Sequence, residues 1–366
     1  MAKHNPANTR IKREYFDYLK EAMRRDEASI DQVAKAISRF EAAIGHKDFK
    51  KFHREQAKAF KRRLDTETNV RTGKPLARAT VHSTLSALRA FFIWLAGQPG
   101  YKSRIAYADA DYFNLSEKDV RVAKARREKP VPTLEQVHHV IGTMPAATDI
   151  DKRNRALIAL AVLTGARAAA LASLKLKHVD LQQGSIFQDA RDVKTKNSKT
   201  FTTWFYPVGG DALRIVTEWY VHLRTDLLWG ESDPLFPKTA IGLGEQGGFQ
   251  ALGLERAHWS STGPIRTIYK DAFKAAGLPY FNPHCFRDVL VQLGERICTT
   301  PEQFKAWSQN LGHERVLTTL TSYGTVPATR QAELIRGLSK RGETQDDATQ
   351  IAAIVAETMR VMRGEP

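Results

Sequence analysis

Apolar residues recur at helical spacing in the N-terminal third of this chain. Val33, Ile37, Phe40 and Ile44 follow one another at steps of four, three and four, which places them on one face of a helix. A second stripe with this spacing consists of Val81, Leu85, Leu88, Phe92 and Leu95. Both faces are expected to turn toward a core, so this part of the chain is predicted to be a helical domain.

A basic segment at residues 121–132 interrupts this pattern. It ends in Pro130-Val131-Pro132 and lacks apolar periodicity, as is typical of a linker. A chain of 366 residues also exceeds what one hydrophobic core usually holds. The predicted organisation is a helical domain at 1–120, a linker at 121–132, a second domain at 133–340 and a tail at 341–366.

The second domain is predicted to be mainly helical with one small antiparallel β-sheet. Thr133 and Gln136 have the spacing of a capping box at the start of a helix. Residues 179–187 are interpreted as a hairpin and residues 200–208 as a further strand, because they are rich in β-branched and aromatic residues. Residues 242–247 match G-x-G-x-x-G, but the preceding stretch contains two prolines, so this run is interpreted as a flexible glycine-rich loop.

The positive charge of the chain is concentrated in its first third. The net charge is +16, and residues 1–130 contain 29 Lys and Arg against 16 Asp and Glu, whereas the remainder contains 27 against 24. Such an excess is typical of binding to a phosphate backbone, although solvated helix faces are an alternative. The predicted DNA contacts, which include the linker, are Lys51, Arg54, Lys58, Lys61, Arg62, Arg71, Lys74, Arg126, Arg127 and Lys129.

The sequence lacks the motifs that are typical of several classes of protein. There are two cysteines, too few for a disulfide framework or a cysteine-based zinc site. No apolar run is long enough for a membrane span and no secretion signal is present, so a cytoplasmic protein is expected. The sequence contains no phosphate-binding P-loop, no H-E-x-x-H and no carboxylate cluster. We therefore expect no metal and no cofactor.

Five residues of the second domain form a candidate phosphate site. Arg167 follows Thr164-Gly165-Ala166, His284 and Arg287 are spaced to lie on one side of a first helical turn, His313 follows Leu311-Gly312, and Tyr323 lies ten residues further on. Each residue alone has an ordinary structural explanation. In this combination they indicate a site for one phosphate.

This ordered set resembles the catalytic motifs of the tyrosine recombinases, or phage-type integrases. The resemblance covers residues 133–330 by motif, and the basic helical segment before it is similar to the family's core-binding domain. It implies a C-shaped clamp on DNA, with residues 1–120 as the core-binding domain and 133–340 as a mixed α/β catalytic domain. It also implies that Tyr323 is the nucleophile, that Arg167 and Arg287 hold the phosphate, that His284 assists as a base and that His313 adds a hydrogen bond.

The family's catalytic lysine has three candidates in this sequence. Lys194, Lys196 and Lys199 all precede the strand predicted at 200–208. Lys196 is preferred, because it would lie nearest a hairpin apex if residues 192–195 formed the incoming strand. Two positions depart from the family pattern: Ala170 stands where a Glu is common, and Asp288 where many relatives carry His.

The main hypothesis is a site-specific recombinase that acts as a homo-tetramer on duplex DNA. The terminal stripe, formed by Ile351, Ile354, Val355, Met359 and Met362, is a candidate to fold back or to dock on a neighbouring copy. The alternatives are a type IB-like topoisomerase or a transposon strand transferase with the same pocket, and a non-catalytic DNA-binding protein on the same fold.

Overall fold

The computed structural model describes residues 4–70, 72–125, 130–244 and 247–313. The chain forms two compact units, Met1–Arg127 and Glu128–Pro366. Their boundary falls inside residues 121–132, but the first residues of that segment are the last turn of a helix. The domain ranges and their roles otherwise stay predictions.

The described residues of the first unit contain five α-helices. They are α1 (Pro6–Asp17), α2 (Glu27–Ala43), α3 (Arg54–Thr66), α4 (Arg78–Ala96) and α5 (Glu117–Lys124). A π-helical turn at Tyr18–Ala22 and 3-10 segments at Phe49–Lys51 and Tyr107–Phe113 connect them.

Aromatic side chains form the core of the first unit. Phe40 is fully buried, and its ring meets those of Phe60, Phe92 and Phe113 edge-on at centroid distances of 5.2, 5.4 and 5.4 Å, a favourable geometry for aromatic pairs. The whole stripe predicted on α4 is buried. On α2, Ile37 and Phe40 are buried, whereas the two ends of the stripe are half-buried.

The second unit is also mainly helical. Up to residue 313, its helices are α6 (Leu134–Thr143), α7 (Asp149–Thr164), α8 (Ala168–Leu171), α9 (Ala212–Thr225), α10 (Gly263–Ala275), α11 (Cys285–Ile297) and α12 (Pro301–Asn310). The capping box predicted at Thr133 is present, because Gln136 N donates to Thr133 Oγ1 and Thr133 N donates to Gln136 Oε1. Ten of the sixteen residues of α7 are buried, which makes it the central helix of this unit.

The three-stranded sheet contains β1 (Val179–Asp180), β2 (Ser185–Gln188) and β3 (Phe201–Trp204). All pairs are antiparallel, with Val179 opposite Ile186 and Ile186 opposite Thr203, which confirms the predicted hairpin. The condition on which Lys196 was preferred, an incoming strand at residues 192–195, is not met. These residues belong to an irregular connection between β2 and β3, because hydrogen bonds from their backbone go to local carbonyls and a serine side chain rather than to a strand.

A second antiparallel sheet was not expected. It consists of β4 (Lys238–Leu243) and β5 (Phe249–Glu255), so the prediction of one sheet and of a loop throughout 242–247 is wrong. The prolines that argued against a strand lie before β4 begins, where they do not interrupt its pairing. Gly242 is opposite Gln250 within the ladder. Within the described ranges, no helix has the length and apolarity of a membrane span.

Candidate active site

Arg167 lies at the start of α8, immediately after a sharp turn. The helix α7 ends at Thr164, and its C-cap residue Gly165 has a left-handed φ of +61°, a conformation that favours glycine. A Cβ at this position would also come within 2.8 Å of Leu311 and 2.9 Å of Leu290. The Thr164 hydroxyl donates to Leu160 O and accepts from Ala166 N. The chain therefore turns sharply at Gly165, where no larger residue fits.

Arg287 lies one turn into α11 and connects two other segments of the site. Only 3% of its surface is exposed. Its Nη1 donates to Gly165 O at 2.6 Å, and its Nη2 donates to Leu311 O at 2.5 Å. Because a buried guanidinium needs hydrogen-bond acceptors, these two carbonyls fix its plane between the end of α7 and the turn that follows α12.

His313 is buried beside Arg287. Its Nε2 lies 3.0 Å from Arg287 Nη2. Burial and the positive charges of Arg287, Arg167, Lys199 and His284 lower the pKa of His313 to about 3. The ring is therefore neutral near pH 7, and Nε2 can accept a hydrogen bond from the guanidinium.

Arg167, Arg287 and Lys196 line one pocket. Thr164, Gln188, Thr195 and Thr203 line it as well, so the walls combine positive charge with hydroxyl and amide groups. This composition fits an anionic, oxygen-rich ligand such as a phosphodiester.

Lys196 lies in a tight 3-10 turn between β2 and β3. The next two residues, Asn197 and Ser198, both have positive φ, 59° and 49°. The turn is closed by a hydrogen bond of 2.7 Å from Thr195 Oγ1 to Lys199 O. Lys196 therefore reaches the pocket from an irregular loop. The positive charge of Lys199 instead contributes to the low pKa of His313.

The loop that carries Lys196 is anchored outside the pocket. Lys194 N donates to Ser173 Oγ at 2.8 Å. Asp192, near the start of the loop, forms ion pairs with Lys175 at 2.6 Å and Lys177 at 2.5 Å. Hydrogen bonds from these two lysines hold the pKa of the Asp192 carboxyl well below its usual range. The anchors connect the loop to the residues directly after α8.

The remaining motif residues are placed as follows. His284 is exposed at the N-terminus of α11, where its backbone N donates to Asn282 Oδ1 at 2.9 Å. Tyr323 lies outside the described residues. Ala170, where relatives commonly carry Glu, is buried and lines the pocket. Asp288 is half-buried on α11.

The predicted DNA contacts of the first unit are partly engaged within it. Arg54 and Lys58 lie 5.9 and 5.4 Å from the centre of the Tyr112 ring, and Lys61 Nζ donates to Asn114 O at 3.0 Å. Lys51, Arg62 and Lys74 are exposed, whereas Arg71, Arg126, Arg127 and Lys129 lie outside the described residues.

The aromatic residues that lie between these Lys and Arg residues in the sequence have a structural role. Phe52 and Phe60 are buried in the core of the first unit. They are therefore not available to stack on nucleic-acid bases.

Sequence reasoning missed Ser173 and Asn310, which hold the site together. Asn310 lines the pocket and bonds to the backbone of β3. Neither residue belongs to a recognisable motif, and a single polar residue at a helix end has many ordinary explanations. The contacts of Ser173 with Lys194 and of Asn310 with Trp204 join residues that are distant in sequence, and this was the missing information.

Comparison with known proteins adds family-level information. Residues 118–328 match the model described as the phage integrase family. The chain is 26% identical over 253 residues to the tyrosine recombinase XerC of Lactobacillus delbrueckii subsp. bulgaricus, a match that covers 68% of this chain and 72% of the relative. It is 29% identical over 167 residues to XerC of Escherichia coli O1:K1, covering 44% and 48%.

Solved structures share the fold. A dimer of lambda integrase residues 75–356 bound to a core site has a TM-score of 0.58 and 15% identity, covering 87% of this chain and 96% of that one. The integrase of transposon Tn1549 in complex with transposon end DNA has a TM-score of 0.56 and 13% identity, covering 90% and 99%. At these identities the likeness concerns the fold alone.

Proposed function

The chain belongs to the phage integrase family, and from that premise we propose that it is a site-specific DNA recombinase that cuts and rejoins strands through a 3′-phosphotyrosine at Tyr323. The proposal draws on relatives named tyrosine recombinases and on neighbours of the same fold that were solved on DNA. The duplex DNA partner and the enzymatic activity of this chain belong to the proposal.

The observation that carries the proposal is the convergence of Arg167, Lys196 and Arg287 on one pocket. A phosphodiester gains negative charge on its non-bridging oxygens as it becomes pentacoordinate, and fixed guanidiniums stabilise that charge. The backbone carbonyls of Gly165 and Leu311 hold the Arg287 guanidinium in place without any contribution from a ligand. Such preorganisation avoids the cost of ordering the group during the reaction.

The proposed reaction starts with attack by the Tyr323 oxygen on the scissile phosphorus. The ordinary pKa of tyrosine is about 10, so the cationic surroundings and His284 as a base would promote loss of its proton. The bond from phosphorus to the 5′ oxygen breaks, and a lysine, Lys196 by preference, gives that oxygen a proton. The 3′ phosphate remains on Tyr323, and attack by a 5′ hydroxyl reverses the step without ATP.

The assembly is a further part of the proposal. We infer a homo-tetramer on duplex DNA, in which the segment containing Ile351–Met362 docks on a neighbouring copy. A truncation after Thr349 is expected to leave binding of a single site unchanged and to weaken assembly of the tetramer, as measured by analytical ultracentrifugation with DNA. Unchanged assembly would remove this part of the proposal.

A covalent trapping assay tests the proposed reaction. The duplex that the protein selects from a randomised pool is given a nick near the cleavage point, so that a short fragment diffuses away and rejoining fails. The wild type is expected to form an SDS-resistant adduct in excess EDTA, and Tyr323→Phe is expected to form none.

The trapping assay, together with relaxation of a supercoiled plasmid, separates the alternatives. A topoisomerase would relax supercoiled DNA without a preferred site, and a non-catalytic binding protein would form no adduct with any duplex. An adduct that persists in Tyr323→Phe would contradict the assignment of the nucleophile.

A further inference from the structure

The amide of Asn310, the last residue of α12, forms two hydrogen bonds with one backbone unit of β3. Its Oδ1 accepts from Trp204 N at 2.7 Å, and its Nδ2 donates to Trp204 O at 2.9 Å. The backbone carbonyl of Asn310 accepts from Thr203 Oγ1 at 3.2 Å. The other edge of β3 pairs with β2. The side chain thus takes the position that a neighbouring strand would occupy.

The residues directly after Asn310 carry the contacts of Arg287. Leu311 O accepts from Arg287 Nη2, and His313 Nε2 lies 3.0 Å from the same nitrogen. Gly312, between them, has φ +74°, and a Cβ there would come within 2.7 Å of the Phe201 ring. The turn 311–313 is therefore held by β3 on one side and by Arg287 on the other.

The helix α12 has separate attachments that do not involve Asn310. Tyr206 Oη donates to Trp307 O at 3.0 Å, and Trp307 Nε1 donates to Leu290 O at 2.9 Å. Removing the Asn310 amide would leave these contacts in place. The helix would stay docked, while the turn that follows it would keep the backbone bond to Thr203 and lose the two side-chain hydrogen bonds to Trp204.

We infer that Asn310 is a positioning residue, which sets Leu311 O and His313 against Arg287 by fixing the turn 311–313 to β3. This inference rests on the proposed recombinase function. The loop that contains Lys196 leads directly into β3. The same strand therefore positions both the loop of Lys196 and the turn that contains His313. The position of Lys196 relative to Arg287 and His313 therefore depends on this one strand.

The test compares Asn310→Ala with Gln309→Ala, an exposed neighbour on the same helix. Single-turnover adduct formation on the nicked duplex is expected to slow by on the order of 10- to 100-fold in Asn310→Ala, because small misplacements of catalytic groups have effects of this size. Its DNA affinity and melting temperature are expected to stay close to those of the wild type, and Gln309→Ala is expected to react normally.

Asn310→Asp provides a second variant. The carboxylate can accept from Trp204 N but has no hydrogen to donate to Trp204 O, so an intermediate or low rate is expected. Normal rates in both Asn310 variants would overturn the inference. A slow Asn310→Ala that also binds DNA poorly and melts early would overturn it too, because the defect would then be one of folding.

Amide hydrogen exchange separates this inference from the proposed function. The Trp204 amide is expected to exchange faster in Asn310→Ala than in Gln309→Ala, with or without DNA. If the wild type forms no adduct on any duplex, the proposed function fails and no reaction remains for Asn310 to position. If adducts form but Trp204 exchange is unchanged, the contact between Asn310 and β3 is refuted while the recombinase assignment stands.

Discussion

Two backbone carbonyls determine the position of the Arg287 guanidinium. The acceptors come from Gly165 and Leu311, which are far apart in sequence. The motif pattern predicts that Arg287 and Arg167 act together, but it contains no information on which backbone groups hold the guanidinium. At this scale the sequence identifies residue types, and the structure supplies their partners.

The choice between Lys196 and Lys199 can be decided by a change in the leaving group. Lys196 lines the pocket, whereas Lys199 is close enough to His313 to lower its pKa. A bridging sulfur in place of the 5′ oxygen gives a leaving group that needs no proton. Lys196→Ala is therefore expected to cleave ordinary DNA slowly and sulfur-substituted DNA at the wild-type rate.

Lys199→Ala serves as the matched control in these rate measurements. It is expected to be slowed to a similar degree on both substrates, if at all. Rescue of Lys199→Ala by sulfur, without rescue of Lys196→Ala, would transfer the role of general acid to Lys199.

The neutral state of His313 predicts how stability depends on pH. Its pKa is about 3 in the folded protein, against about 6.5 in an unfolded chain. Between these values the unfolded state binds more protons, so the free energy of unfolding contributed by this group decreases as the pH falls from about 7. His313→Gln should show a shallower decrease.

Urea unfolding of both proteins at several pH values between about 5 and 8 measures this difference. Burial also lowers the pKa values of His178 and His258, but both residues are present in the two proteins and cancel in the comparison. Parallel pH profiles would show that His313 titrates normally in the folded state.

At the scale of elements, apolar periodicity and capping predicted the helices well. The α4 stripe and the Thr133 capping box depend on neighbours within one turn or two, so local sequence contains the information. The hairpin of β4 and β5 was missed because its glycines and the preceding prolines resemble a loop, and its pairing depends on residues across the turn.

The loop between β2 and β3 shows the same limit at the site. Its course depends on Ser173 and on the ion pairs of Asp192 with Lys175 and Lys177. These partners precede the loop by about 15 to 21 positions, and no periodic pattern connects them to it. The sequence therefore could not show that residues 192–195 form no strand, although Lys196 lies at the pocket.

Ser173→Ala tests this anchor. Loss of the acceptor for Lys194 N is expected to decrease the free energy of unfolding by about 1 kcal/mol and to slow cleavage of ordinary DNA. If the defect lies in the Lys196 loop, sulfur substitution at the leaving group restores most of the rate. Thr202→Ala, at an exposed position of β3, is the control and should change neither quantity.

At the scale of the whole molecule, the concentration of positive charge in the first 130 residues predicts a strong salt dependence of DNA binding. Replacing the exposed Lys51, Arg62 and Lys74 by Ala should make the slope of log affinity against log salt shallower by about 1 for each phosphate that the variant no longer neutralises. Fluorescence anisotropy over a series of salt concentrations measures the slope.

The control for this triple variant is Lys270→Ala combined with Lys274→Ala, at exposed positions of α10 in the second unit. It should leave the slope unchanged. Equal slopes for the wild type and the triple variant would show that these three residues do not bind phosphate.

The central claim is that Arg167 and Arg287 stabilise negative charge on one scissile phosphate. Replacing a non-bridging oxygen by a methyl group removes that charge, so the arginines should then be dispensable. The most direct measurement is the rate of covalent adduct formation by Arg167→Ala and Arg287→Ala on a phosphate and on a methylphosphonate at the cleavage point. The account predicts a loss on the order of 100-fold or more on phosphate and recovery toward the wild-type rate on methylphosphonate; an equal loss on both substrates would contradict it.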